Sequence, residues 1–155
     1  MANFEVLKTF HTGICVADLD FSVGFFCDVM GYELLNRAPR DPNNTAFITN
    51  VPGADVEIAY VSGPGHNLEL LCYSGPAERK TYKARMVDVG HFHLCVVIDD
   101  IEAAIADILA YDDRITTLSP TFMTVDQGPN AGNKIIFVVL PDGMMIELTT
   151  QQPGQ

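Results

Sequence analysis

Positive charge is what this chain has least of. Its 155 residues carry 9 Lys and Arg against 20 Asp and Glu, a formal net charge of −11. Phosphate backbones and anionic membrane surfaces attract cations, so neither nucleic acid nor a membrane is expected as a partner. Long apolar runs are also missing. No stretch reaches roughly 18 uninterrupted apolar residues, and the opening M-A-N-F-E-V-L-K-T-F has no basic region followed by an apolar one. Neither membrane crossing nor export is signalled, and a cytoplasmic location is expected. The four cysteines, Cys15, Cys27, Cys72 and Cys95, form no C-x-x-C pair and no dense framework. A disulfide scaffold is thereby excluded, and reduced, mostly buried thiols are expected. What remains, 48% hydrophobic and 19% charged residues, is the composition of one globular domain with a substantial core.

Within that composition the chain repeats itself. His11 opens H-T-G-I-C-V-A-D-L-D, and His93, 82 residues later, opens H-L-C-V-V-I-D-D-I-E. Leu19, Val23 and Phe26 recur as Ile101, Ile105 and Ile108 at the same offset, and the halves end alike, in G-H-N-L-E-L around Glu69 and G-M-M-I-E-L around Glu147. A period of this length exceeds that of stacked solenoid repeats and points to a duplicated half-domain whose copies build one site.

Each copy reads as a strand, a helix and then three strands. In the first, residues 10–16 form a buried strand, and Asp18 or Asp20 caps a helix that Gly31 stops. Leu19, Val23, Phe26 and Met30 share one face of that helix. Residues 32–38 are extended. Asn43 or Asn44 caps a short helix through Val51, and strands 56–61 and 67–73 form a hairpin around S-G-P-G-H. In the second, strand 91–98 precedes a helix capped by Asp99 or Asp100 and running to about Tyr111. A weaker extended stretch over 114–125 and strands 134–140 and 144–150 follow. The expected organisation is one domain over 1–155, with a first module at 8–73, a linker at 74–89 carrying four of the nine basic residues, and a second module at 90–151. Helices on one face of mainly antiparallel sheets make the fold class α+β.

The repeated histidines and glutamates carry the chemistry. Glu69 and Glu147 each sit inside an apolar strand, where an unpaired carboxylate costs heavily in desolvation. Lys and Arg are absent from the four strands concerned. A buried cation held by His11, Glu69, His93 and Glu147 neutralises both carboxylates, and two imidazoles with two carboxylates suit Mn, Fe, Co, Ni or Zn. His91 rivals His93 because residues two apart on a strand share a face, but the repeat register pairs His93 with His11 and leaves His91 at the cavity edge. His66 reads as a solvated loop residue without a role. Cys15 and Cys95 follow the histidines at even offsets and are expected on the same face, lining the cavity. Arg37, Arg40, Lys80 and Lys83 read as solvated surface charge.

Taken in order, H-T-G-I-C-V-A-D-L-D-F-S-V-G-F-F-C-D-V-M-G-Y, G-H-F-H-L-C-V-V-I-D-D-I-E-A-A-I and Q-G-P-N-A-G-N-K-I-I-F-V-V-L-P-D-G-M-M-I-E-L resemble the vicinal oxygen chelate superfamily, the glyoxalase, bleomycin-resistance and extradiol dioxygenase group. The resemblance implies two βαβββ modules forming an open, barrel-like cavity, often in a homodimer, around one divalent metal whose positions fall on His11, Glu69, His93 and Glu147. It is nearest in pattern to the glyoxalase I-like and methylmalonyl-CoA epimerase-like branches. Four protein ligands leave two adjacent sites for a small substrate with vicinal oxygens, which implies a lyase or isomerase acting by proton transfer, with Glu147 as ligand and general base and Glu69 as the second candidate for base. Two other classes share the scaffold. A ring-cleaving dioxygenase would not need Glu69, and a non-catalytic, drug-binding protein would not need a metal.

Overall fold

Two aspartates start the two main helices, each at the point where an apolar strand ends. In the computed structural model, which describes residues 3–81 and 83–151, Asp18 is the N-cap of α1 (Leu19–Gly24) and accepts the Phe21 N–H at 3.0 Å. Asp100 caps α3 (Ile101–Tyr111) in the same way, from the Ala103 N–H at 3.0 Å. Each carboxylate satisfies a donor that the first helical turn leaves without an internal partner. The chain divides into two units, one up to Lys80 and one from Thr81.

The first unit contains β1 (Thr12–Cys15), α1, a π-helical turn over Phe25–Val29, β2 (Glu33–Pro39), α2 (Pro42–Thr49), β3 (Asp55–Gly63) and β4 (His66–Gly75). Its sheet has the order β1-β4-β3-β2. β1 runs parallel to β4, while β3 pairs antiparallel with both neighbours. The first strand therefore lies beside the last. Leu68 and Leu70 of β4 are fully buried, as are Phe25 and Phe26, and α1 packs on β3 and β4. Because strand side chains alternate, Glu69 points to the opposite face.

The second unit repeats the plan with β5 (Leu94–Val97), α3, two short strands β6 (Thr116–Thr117) and β7 (Met123–Thr124), then β8 (Lys134–Val139) and β9 (Met145–Thr149). The sheet order is β5-β9-β8-β6, with β7 also on β8, and again the first strand runs parallel to the last. Ile146 and Leu148 are buried on either side of Glu147. The class is α+β, two sheets with few helices, as expected.

Several local expectations are corrected. The cap of α2 is Asp41, whose carboxylate accepts the Asn44 N–H at 2.9 Å, rather than Asn43 or Asn44. Pro42 fits the first helical position because its missing N–H would have no partner there. α2 ends at Asn50, which adopts a left-handed conformation at φ 53°. The π-helical turn inserts extra backbone after Gly24, so Phe25 joins Leu19, Ser22 and Phe26 in the core, while Val23 and Met30 are half-buried. Ser22 tolerates full burial because its hydroxyl donates to the Asp18 carbonyl at 2.8 Å. The extended stretch over 114–125 becomes two two-residue strands. Among the described residues no helix is long and apolar enough to cross a membrane.

Candidate functional site

The parallel pairing of first and last strands brings each histidine to a glutamate. In β1 against β4, Gly13 lies opposite Glu69, and in β5 against β9, Cys95 lies opposite Glu147. Each histidine stands two residues before that position, on the same side of an extended chain. His11 Nε2 is 3.1 Å from Glu69 Oε2, and His93 Nε2 is 3.0 Å from Glu147 Oε2. The glutamate side chains are only 15% and 18% exposed, so each depends on its neighbours for compensation.

The four expected donors thus meet as two like pairs, one in each unit. Among the described residues no group of three or more His, Cys, Asp or Glu is gathered at one point. Each pair on its own suits two neighbouring positions around a divalent ion. At 3.0–3.1 Å the imidazole nitrogen and the carboxylate oxygen of each pair lie within hydrogen-bonding distance, close enough for both to serve one ion. Imidazole with carboxylate is also the donor chemistry of such ions.

An aromatic ring completes each pair. Tyr60 of β3 lies opposite Glu69 and Phe137 of β8 opposite Glu147. The Tyr60 ring meets His11 edge-on at 5.5 Å, and Phe137 meets His93 at 5.2 Å and 88°. The two positions differ by one hydroxyl, which in Tyr60 donates to Glu69 Oε1. That bond, burial and the Glu69 charge raise the phenol pKa, and Arg40, which reaches the same hydroxyl, offsets part of the rise. Sequence reading passed over both aromatics. The available signal was the hairpin register, which sets them directly across from the glutamates.

The thiols correct an expectation. Cys15 and Cys95 are exposed, and Cys27 and Cys72 half-buried, because the first two lie on the open face with the glutamates rather than under a helix. All four are free. Burial of the thiol and the Glu69 charge raise the Cys15 pKa. Burial, the Glu147 charge and a hydrogen bond to Glu147 push Cys95 to about 11. Both are held as protonated thiols, the opposite of what a nucleophile needs.

Two histidines stand elsewhere than expected, and Arg37, exposed as expected, is paired. His91, like His93, precedes β5 rather than lying on the strand expected over 91–98. Its N–H donates to the Asp88 carbonyl at 3.0 Å, its ring stacks on His93 at 5.6 Å, and its Nε2 is buried without a partner. His66 is not a solvated turn residue: it opens β4, half-buried, with Nε2 2.8 Å from the Thr12 hydroxyl. Arg37 is tied to Glu57 at 2.9 Å and to Asp20.

With this geometry in place, known proteins are informative. Residues 8–148 match the profile of the Glyoxalase/Bleomycin resistance protein/Dioxygenase superfamily. A 2-epi-5-epi-valiolone epimerase from an Actinomyces species is 32% identical over 93% of this chain and 79% of its own length. A probable lactoylglutathione lyase from Vibrio cholerae is 31% identical over 96% and 91%. A glyoxalase family protein from Bacillus cereus superposes with a TM-score of 0.81 at 22% identity, covering 97% of this chain and 98% of that one, which is a likeness of fold. A profile match over nearly the whole chain, carried by two units of one plan, makes this protein a member of the Glyoxalase/Bleomycin resistance protein/Dioxygenase superfamily.

Proposed function

We propose that the protein is a divalent-metal-dependent lyase or isomerase that moves a proton on a small substrate offering two adjacent oxygens, with His11, Glu69, His93 and Glu147 as the metal ligands. The observation that carries this reading is the recurrence of one histidine–glutamate pair, at one strand register and one spacing, in both units. Members of the superfamily commonly use a divalent metal and bind small molecules, often as dimers. The epimerase and lyase relatives bear names of this reaction class.

A bound divalent ion supplies Lewis acidity, stabilising negative charge on substrate oxygen as the neighbouring carbon loses its proton. The remaining work falls to the chain. His11 and His93 would hold the ion through ring nitrogens, leaving two rather than four carboxylate-type donors to offset its Lewis acidity. Glu147 is the general base. It is the carboxylate whose facing aromatic, Phe137, offers no hydroxyl, and a base must be free to turn toward the carbon it deprotonates. Tyr60 and Phe137 cover the two pairs with apolar ring, which limits water around the carboxylates. Cys95, protonated beside Glu147, adds a weak donor and no competing nucleophile.

Elemental mass spectrometry of protein purified without tag or chelator tests the reading. About one divalent ion per chain, with much weaker retention in Glu69→Gln, is the expected result. The second expectation is deuterium uptake from solvent at the acidic carbon of a 2-epi-5-epi-valiolone-like ketone or of lactoylglutathione, the compounds for which its relatives are named. Protein that holds no metal and takes up none when Mn, Co, Ni or Zn is supplied would overturn the proposal.

A further inference from the structure

We infer that Tyr60 is a positioning residue that fixes Glu69 as a stationary ligand, through a hydroxyl for which the second unit has no counterpart; the inference rests on the metal reading above.

Glu69 has two oxygens with separate tasks. Oε2 faces His11 Nε2 at 3.1 Å, the edge available to an ion, and Oε1 is taken by the Tyr60 hydroxyl. A phenol has a single proton to give. Arg40 acts on the same phenol in the opposite sense to Glu69, lowering its pKa and so making the hydroxyl a better donor to the carboxylate. With Oε1 held by the phenol and Oε2 beside His11, both oxygens of Glu69 have a fixed neighbour.

Metal-binding histidines are usually oriented by a hydrogen bond from their second ring nitrogen to a carboxylate or carbonyl. His11 lacks this: its Nδ1 is buried and has no partner. The ring is instead braced by aromatic neighbours, Phe10 at 5.2 Å and Tyr60 at 5.5 Å. Tyr60 consequently touches both donors of the pair, the imidazole with its ring and the carboxylate with its hydroxyl. Phe137 occupies the matching place opposite Glu147 and braces His93, but it has nothing to donate. Glu147 has the Cys95 thiol instead, a much weaker donor. One carboxylate has a phenol to anchor it and the other only a thiol, a division suited to a ligand that stays and a ligand that also carries a proton.

Calorimetric titration of metal-free protein with cobalt(II) alone tests this, read together with the visible absorption of the cobalt-loaded protein. Tyr60→Phe is expected to weaken cobalt binding roughly 10- to 100-fold and to shift the cobalt spectrum, while the melting temperature of the metal-free protein stays near that of the wild type. A structural role alone would lower the melting temperature and leave the spectrum of the bound ion unchanged. Arg40→Gln leaves the hydroxyl in place and removes the cation that makes it a better donor. It is expected to weaken binding in the same direction by a smaller factor, and it decides the matter if Tyr60→Phe does not fold. Phe137→Tyr, which gives Glu147 the missing hydroxyl, is expected to tighten cobalt binding. Wild-type affinity and spectrum in Tyr60→Phe, or in Arg40→Gln should the first variant be unfolded, would overturn the inference and leave the metal reading intact. A wild-type protein that does not take up cobalt would overturn the metal reading, and this inference with it.

Discussion

The first unit surrounds Glu69 with Gly13, Tyr60 and, through the phenol, Arg40, whereas the second surrounds Glu147 with Cys95 and Phe137 at the corresponding strand positions. The metal-type donors are alike in kind, register and spacing, and their supports are not. A duplicated half keeps donors when both copies are needed for one task. It changes their surroundings when each copy must do something different with the same side chain. Surroundings differ between the two carboxylates: Glu69 has a phenol as donor, and Glu147 faces a phenyl ring that has none to give.

The sharpest way to break this comparison is to neutralise one glutamate at a time. Glu147→Gln is expected to lower kcat by about 10²- to 10⁴-fold, as loss of a general base does, in the variant still able to bind some metal. Glu69→Gln is expected to act chiefly through lost metal, so excess metal restores part of its activity. Equal losses, with equal rescue by metal in steady-state assays, would show the two carboxylates to be interchangeable.

Cys95 reports on Glu147 without any substrate. A thiol raised from the model-peptide value of 9.0 to about 11 has roughly 100-fold less thiolate at pH 8, and the thiolate is the reactive form. Alkylation of Cys95 by iodoacetamide, followed by peptide mass spectrometry, is expected to be slower by about that factor than for a free thiol. It should climb about tenfold per pH unit until pH approaches 11. Glu147→Gln removes the negative charge and should speed the reaction, while Glu69→Gln should leave Cys95 unchanged and speed Cys15.

Two glycines of the first unit give smaller effects. A Cβ on Gly63, near the end of β3, would run into the Tyr32 ring, which is itself packed at 5.2 Å on buried Phe26. Gly63→Ala is expected to cost about 1–3 kcal/mol, seen as a lower denaturation midpoint. A Cβ on Gly13 would lie 3.3 Å from Glu69 Oε2 and 3.4 Å from Leu71 Cδ1. Gly13→Ala is thus expected to weaken metal binding a few-fold while barely moving the melting temperature. The second unit carries a cysteine at this place, so Cys95→Gly should not weaken binding. If it does so as strongly as Gly13→Ala, the two positions are not distinct in function.

Much of the architecture was legible because it is written in local patterns. Asp18 and Asp100 announce their helices through capping chemistry, and the apolar alternation around Glu69 and Glu147 marks strands with one covered face. Gly31, at φ 69°, ends its helix as expected, with the Tyr32 N–H returning to the Phe26 carbonyl at 2.8 Å. The misses have physical causes of another kind. Asn43 and Asn44 are good caps by type, but Pro42 takes the first helical position and puts the cap two or three residues earlier, on Asp41. The exposure of Cys15 and Cys95 depends on which sheet face the helix covers. His66 is half-buried because β1 lies close enough for Thr12 to reach it.

The sequence by itself determined the duplication, the donor types and the alternation that forces each glutamate away from the helix-covered face, since these follow from residue identity and strand period. Only the tertiary structure decided which atoms meet. Gly13 pairs with Glu69, and Cys95 with Glu147, across parallel strands that close long loops of chain. Parallel pairing leaves no local signature, because its hydrogen bonds join segments that share no turn. The hydroxyl of Tyr60 and the side chain of Arg40 become part of the site for the same reason: their neighbours are chosen by sheet register, which is set by the packing of the whole unit.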